Sequence, residues 1–366
     1  MGEEKRIVFL DYLRIFACFL VMLVHSCEPF YFDASGNTHF ASASDAFWVT
    51  LLDSFARIAV PLFVMTSSYL LFPLRGAPGS FFRRRALRIL PAYALWTAVY
   101  VALARGNWAK LLFNFPDEGG HLWFVPMLLG VYLLIPLLSP WAERATEREV
   151  RGWLAVWLVT TLFPYARRLW AHLYGAPAFG AVPYLWGECP WNAFGTFHYV
   201  SGFFGYLLLG FYFRRFAGEW SWRRTLAAAV PLCAAGYAVT AVAFYLRIPS
   251  EGGFPVTRPY AFAVDLEMSW EYCSTGVALM TAAVFLVFRK FGSEGGFYRW
   301  FVRPCSEASY GTYLLHMLIL TPLMGALRAL LPTPAAILAT ACSTFLLASA
   351  AGFLLRKIPF AGRFAG

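Results

Sequence analysis

Apolar runs of roughly membrane-spanning length, separated by short basic or aromatic stretches, dominate the chain. They fall at residues 7–29, 47–73, 87–104, 121–141, 152–170, 196–213, 225–246, 270–288, 308–330 and 335–355. A helix needs about 20 predominantly apolar residues to cross the hydrocarbon core of a bilayer. The pattern therefore predicts an all-α fold, a polytopic integral membrane helix bundle of about ten transmembrane helices. Ten spans would consume most of the 366 residues, so 1–366 reads as a single transmembrane domain. The stretch Leu330-Leu331-Pro332-Thr333-Pro334 predicts a tight turn joining the last two spans. The first run carries Asp11 and Arg14, is too long for a signal-peptide core and has no A-x-A site, so it is expected to stay as an uncleaved first span. No internal repeat is visible, which weighs against a transporter built from duplicated halves.

Composition strengthens this picture. The chain is 60% hydrophobic and 14% charged, against about 25% charged in soluble domains. Its net charge of +10 sits in short clusters between apolar runs rather than on one continuous basic surface, which excludes a nucleic-acid partner. With the N-terminus in the cytoplasm, 21 of the 30 Lys and Arg fall in segments on that side and six on the other, while Arg14, Arg57 and Arg328 lie within spans. That bias predicts an N-in, C-in arrangement with an even number of crossings. Seven cysteines without paired spacing give neither a disulfide framework nor a zinc motif, and no metal is expected. The outer stretches 171–195 and 247–269 are rich in Pro, Gly and aromatics. They suit sugar contacts and an interfacial aromatic belt equally.

Ionisable side chains within spans are costly and mark function by default. The first span holds Asp11, Arg14, His25 and Glu28. Eleven residues at 100° each come to about 20° beyond three turns, so Arg14 and His25 share a face, separated by about 16 Å along the axis. Asp11 lies three residues before Arg14, close enough for a local ion pair. Arg83-Arg84-Arg85-Ala86-Leu87-Arg88 stands just before the third span, with Arg85 and Arg88 on one side of a helix start. A guanidinium fork suits phosphate, although a basic anchor is also what any cytoplasmic loop carries. His121-Leu122-Trp123-Phe124 opens the fourth span at the depth of His25, and His316 lies in the ninth, near mid-membrane. Each of these histidines could equally be a polar packing contact between helices.

These stretches, taken together, resemble the acyltransferase 3 family of bacterial membrane O-acyltransferases. The resemblance rests on Leu10-Asp11-Tyr12-Leu13-Arg14 followed by His25, on Val60-Pro61-Leu62-Phe63-Val64-Met65-Thr66-Ser67-Ser68-Tyr69-Leu70, and on Arg85-Ala86-Leu87-Arg88. His121-Leu122-Trp123-Phe124, Tyr310-Gly311-Thr312-Tyr313-Leu314-Leu315-His316 and Lys357-Ile358-Pro359 complete it, in order along the chain. Where the family often has Ser-Gly before the Tyr ending the second span, this chain has Ser67-Ser68-Tyr69. Within that family the chain resembles acetyltransferases that decorate surface polysaccharides such as enterobacterial common antigen.

The resemblance implies an acetyl-CoA-dependent O-acetyltransferase acting on a glycan or lipid-linked sugar. Arg85 and Arg88 would hold the phosphates of cytosolic acetyl-CoA, with Arg14 and His316 also on the donor side. The pantetheine arm would thread between helices toward the far side. His25 would act as general base, oriented by Glu28, with Arg14 and Asp11 supporting the centre. His121, Trp123 and Tyr313 would shape the acceptor pocket. Transfer could be direct or could pass through an acyl-enzyme on Ser67, Ser68 or a His. The rival expectation is a polysaccharide exporter, which explains many spans and buried polar groups but not an Arg-x-x-Arg placed across the membrane from a histidine.

Overall fold

A computed structural model of the chain describes residues 6–33, 35–109, 117–175, 200–248, 253–259, 263 and 266–358. Its helices are α1 (Val8–Cys27), α2 (Ala43–Ala56), α3 (Ala59–Leu71), α4 (Pro78–Leu103), α5 (Phe124–Arg144) and α6 (Glu147–Tyr174). They continue with α7 (Phe204–Arg215), α8 (Trp222–Tyr245), α9 (Thr275–Phe288), α10 (Arg303–Leu330) and α11 (Thr333–Lys357). The bundle is all-α and polytopic. Among the described residues, seven stretches are long and apolar enough to cross a membrane: Val8–Phe30, Ala43–Leu71, Pro78–Leu103, Gly119–Arg144, Trp222–Tyr245, Tyr298–Leu330 and Thr333–Lys357. Of the other three expected spans, α6 has 28 residues but begins Glu-Arg-Glu-Val-Arg and carries Arg168 near its end, so its mean hydropathy is low. α7 and α9 have only 12 and 14 residues.

The helix boundaries follow local chemistry. Ser42 caps α2 by accepting from the Asp45 amide at 3.1 Å, and Ser221 caps α8 by accepting from the Arg224 amide at 3.2 Å. The second expected span, 47–73, is not one continuous helix. It breaks between α2 and α3 at Arg57 and Ile58, because Pro61 has no N–H to offer the Arg57 carbonyl four residues back. The turn between α10 and α11 is as tight as expected, with only Leu331 and Pro332 between them. The third expected span starts earlier than its hydropathy suggested, at Pro78, a residue preorganised for a first helical turn. Arg85 and Arg88 therefore lie in the second and third turns of α4, beyond the reach of the helix N-terminal dipole.

The innermost helix is α1, packed against α2, α3, α9, α10 and α11. Two-thirds of its most apolar window is buried, against 17% for α8, so α1 is the axis of the bundle and α8 a peripheral helix. Trp153, Val156, Val159 and Leu162 on α6 and Leu226, Val230, Val239 and Val242 on α8 are exposed apolar side chains that suit contact with lipid tails. Close helix approach rests on glycines. A Cβ on Gly210 of α7 would lie 2.8 Å from the Met65 carbonyl oxygen and the Ser68 Cβ of α3, and one on Gly236 of α8 would lie 2.6 Å from the Gly276 carbonyl oxygen of α9. The small residue that lets α3 be approached is thus on α7, opposite Ser68, whose hydroxyl donates to the Leu207 carbonyl at 2.5 Å.

One departure from pure helix is a two-stranded antiparallel ribbon, β1 (Thr38–Phe40) with β2 (Val256–Arg258), in register Thr38↔Arg258 and Phe40↔Val256. It ties the α1–α2 connection to the segment after α8. Phe40, Tyr31, Phe244 and Trp270 pack beneath it, the last two stacked with ring centroids 3.4 Å apart. Much of the Pro- and aromatic-rich stretches 171–195 and 247–269, and Pro359 of the closing Lys-Ile-Pro, lie outside the described residues.

Candidate active site

Three histidines from distant parts of the chain meet at the C-terminal end of α1. His25 and His316 have ring centroids 5.2 Å apart, His121 and His316 also 5.2 Å, and His25 and His121 6.4 Å. His25 comes from the last turn of α1 and His316 from the middle of α10. His121 comes from a 3-10 turn, Asp117–Trp123, that precedes α5. His121 was expected at the depth of His25, and it is there. His316, expected deeper in the membrane, stands instead at the same level. The 28-residue α10 runs past the end of the 20-residue α1, so its middle lies beside α1's last turn.

The partners of each ring fix its protons. Nδ1 of His25 lies 3.0 Å from Glu28 Oε2. An ionised carboxylate only accepts, so Nδ1 carries the hydrogen and Nε2 of the neutral ring keeps its lone pair. Glu28 opens the 3-10 turn Glu28–Phe30 that follows α1, three residues on, which brings its carboxylate back over His25. Nδ1 of His316 lies 2.5 Å from the Tyr313 carbonyl and must likewise donate. The Nε2 atoms of His316 and His121 are buried without a hydrogen-bond partner, an arrangement that ordinary packing histidines avoid. Tyr313 donates its hydroxyl to the His121 carbonyl at 2.6 Å and so ties α10 to the turn before α5.

Two of these histidines, His25 and His121, border the first of three abutting cavities. Val21, Val24, His25, Val60, His121, Trp123 and Tyr272 are among the walls of this narrow one, which offers about 20 Å³, little more than one water needs. Phe63, Phe124 and Tyr313 separate it from a second cavity of about 330 Å³, because all three line both. The second is amphipathic, walled by Leu70, Ile89, Val125 and Leu128 but also by Arg14, Ser67, Arg85, Arg88, Tyr132 and Tyr310. The Nε of Arg85 is buried there without a partner. Arg14, Leu70, Arg88, Ser306 and Glu307 continue into a third cavity of about 320 Å³, which also has Arg6, Asp11, Arg214 and Arg356. A polar, cation-rich mouth thus leads through the bundle to the histidines. Arg14 lines the two wide cavities and His25 the narrow one, as their shared face requires.

At the mouth, Asp11 has a different first partner from the expected one. Arg6 forks onto it, Nε to Oδ2 at 2.5 Å and Nη2 to Oδ1 at 3.0 Å, while Tyr298 and Ser306 donate to it at 2.7 Å each. Arg14 approaches Asp11 only to 3.6 Å and donates to Ser306 Oγ at 3.1 Å. Side chains leave a helix pointing back toward its N-terminus, so Asp11 leans toward Arg6 and away from Arg14. Arg6 also reaches Glu307 at 2.5 Å.

A second buried ionic group lies at the α2–α3 break. Arg57 makes two bonds to Asp53, Nε to Oδ1 at 2.8 Å and Nη2 to Oδ2 at 2.7 Å, and a third to Tyr31 Oη at 3.1 Å. Its guanidinium lies 4.5 Å over Trp270, and Tyr31 donates to Glu267 at 2.9 Å. Tyr31 follows Glu28 by three residues, so this group holds the turn carrying Glu28. Sequence reasoning counted Arg57 only as a charge within a span. The Asp53–Arg57 spacing of four was the available signal, whereas Tyr31 and Glu267, 236 residues apart, carried none. Ser306 and Glu307 were missed for the same reason, since nothing local marks them as facing Asp11 and Arg6.

Every residue expected at a site is among the described residues. His25, Glu28, His121, Trp123, Tyr313 and His316 meet at one end of the cavities, and Arg85, Arg14, Arg88 and Asp11 are spread along the two wider cavities that lead away from it. Among the described residues, no group of three or more His, Cys, Asp or Glu is placed to hold a metal ion. In comparisons with known proteins, residues 7–352 match the family model of the acyltransferase domain called acyltransferase 3. Nothing among curated proteins or solved structures matches the chain.

Proposed function

Since the chain belongs to the acyltransferase 3 family, and is a multi-pass membrane acyltransferase on that ground, we propose that it is an O-acetyltransferase using acetyl-CoA. In this reading it moves the acetyl group from cytosolic acetyl-CoA to a hydroxyl of a glycan or glycolipid on the other side of a bacterial inner membrane. The observation that carries the reading is the run of abutting cavities between the arginines and the histidines. A donor with a polyanionic head and a long, thin, weakly polar arm fits such a shape. Arg85 and Arg88 hold phosphate oxygens, which suits the unpartnered Nε of Arg85 and the guanidinium fork. The arm follows the amphipathic cavity past Tyr310 and Tyr132. The thioester comes to rest at Phe63, Phe124 and Tyr313, beside His25.

There the lone pair on Nε2 of His25 takes the proton of the acceptor hydroxyl as its oxygen attacks the thioester carbonyl. The carbon–sulfur bond then breaks, and the CoA thiolate recovers that proton from His25. Glu28 holds the ring in the tautomer this needs and offsets the positive charge that His25 carries in between. His121, Trp123 and Tyr313 border the place where the acceptor arrives. The cavity at the histidines is too small for a sugar ring, so the acceptor enters by displacing one of its walls.

Titrating acetyl-CoA into purified protein tests the reading. Wild type should bind it, Arg85→Ala with Arg88→Ala should weaken binding at least tenfold, and His25→Ala should bind normally but transfer nothing. If wild type fails to bind at millimolar donor yet binds glycan, the exporter reading takes its place.

A further inference from the structure

The mouth cavity contains more positive charge than the Arg85/Arg88 pair explains. Arg6, Arg14, Arg88, Arg214 and Arg356 line it, against the carboxylates of Asp11 and Glu307. Several of these are already committed. Arg6 is forked between Asp11 and Glu307, Arg14 bonds Ser306, and Arg214 donates to the Tyr69 carbonyl at 2.8 Å. Arg88 and Arg356 make no hydrogen bond or ion pair with another described residue, although both face the same 320 Å³ space. They come from different places, Arg88 from the third turn of α4 and Arg356 from the last turn of α11. Arg88 is shared with the second cavity, where Arg85 is, whereas Arg356 belongs to the mouth alone. The cations are therefore strung out along the path rather than gathered at one point.

A donor held at two separated phosphate positions fits that spacing. We propose that Arg356, with Arg88, forms a subsite for a terminal phosphomonoester, the 3′-phosphate on the ribose of CoA, distinct from the diphosphate held at Arg85 and Arg88. A phosphomonoester carries about −1.5 to −2 at neutral pH and offers three acceptor oxygens. It is the most highly charged group of the donor and suits a mouth with uncommitted guanidinium groups. The subsite selects CoA thioesters over otherwise identical donors that lack this phosphate. Arg356 is exposed at a helix end, so replacing it removes charge without emptying the core.

The inference rests on the CoA reading, and the experiment separates the two. Binding of acetyl-CoA and of acetyl-3′-dephospho-CoA is measured for wild type and for Arg356→Ala, in low salt. Wild type should prefer acetyl-CoA by about tenfold, the worth of a charge-assisted hydrogen bond to phosphate. Arg356→Ala should lose most of that preference by weakening acetyl-CoA alone, and its unchanged binding of the dephospho donor certifies that it is folded. Arg356→Lys should recover part of the preference, as a point charge would. Equal wild-type affinity for both donors overturns the subsite and leaves the donor reading standing. So does a preference that survives in Arg356→Ala. Failure of wild type to bind either donor removes both.

Discussion

Nδ1 of His25 is held by Glu28, and its ring lines a cavity of about 20 Å³. That contact predicts a graded response to substitution. His25→Ala should lower turnover by about 10²- to 10⁴-fold, the usual worth of a positioned general base. Glu28→Gln keeps a hydrogen bond to Nδ1 and loses only the charge, so its loss should be smaller, about tenfold, with donor affinity unchanged. Initial rates over a range of donor concentrations check both, and a Glu28→Gln loss confined to KM would contradict the orienting role. The Asp53–Arg57 pair behaves differently because Asp53 is fully buried. Arg57→Ala strands a carboxylate and should cost about 3–5 kcal/mol of stability, whereas Asp53→Asn together with Arg57→Gln should cost less. Thermal unfolding in detergent reads the difference; equal losses would mean that the charge pairing itself counts for little. Arg14 and His25 were legible in the sequence because one helix carries both and its period alone aligns them, and Glu28 because it follows His25 by only three residues. The tautomer of His25 was not, nor was the place of Tyr31, because both depend on groups brought together by packing.

Helix contacts set where those side chains stand. α3 carries Val60 and Phe63 against the histidine end and Ser67 farther along, and α7 closes on its back at Gly210. Gly210→Ala would press a methyl group against the Met65 carbonyl, which belongs to backbone and cannot swing aside. It should therefore cost about 1–3 kcal/mol. By moving α3 it should also lower donor binding and turnover together, measurable by unfolding and by the same titration. Unchanged stability would show that α7 yields instead. The departure at Ser67-Ser68-Tyr69 is explained at this level, since the glycine that close approach demands lies on the partner helix. Hydropathy located most helices within several residues, because burial in lipid or protein selects the same side chains. It missed the α2–α3 break and the early start of α4, where Pro61 and Pro78 act through backbone geometry rather than hydrophobicity. It could not foresee the β1–β2 ribbon, whose two three-residue strands lie 218 positions apart.

For the whole molecule, the two ends of the chain decide between counts of crossings. Arg6, before α1, and Arg356, near the end of α11, line one cavity, so both ends of the described chain lie at the same face of the bundle. A chain that returns to its starting face crosses an even number of times. Among the described residues, the seven long apolar stretches would then be joined by at least one crossing built from the polar α6 or the short α7 and α9. Such helices can serve because their backbone groups are satisfied internally and their neighbours cover the polar side chains. The positive-inside bias predicts that the face with Arg6, Arg85, Arg88 and Arg356 looks toward the cytoplasm. Labelling of intact cells with a membrane-impermeant maleimide tests it. Ser35→Cys, exposed beside the ribbon at the histidine end, should react, and Ser293→Cys, exposed between α9 and α10 at the arginine end, should react only after lysis. The reverse pattern would turn the arginine mouth outward, away from the cell's CoA, and the donor assignment would fall with the orientation.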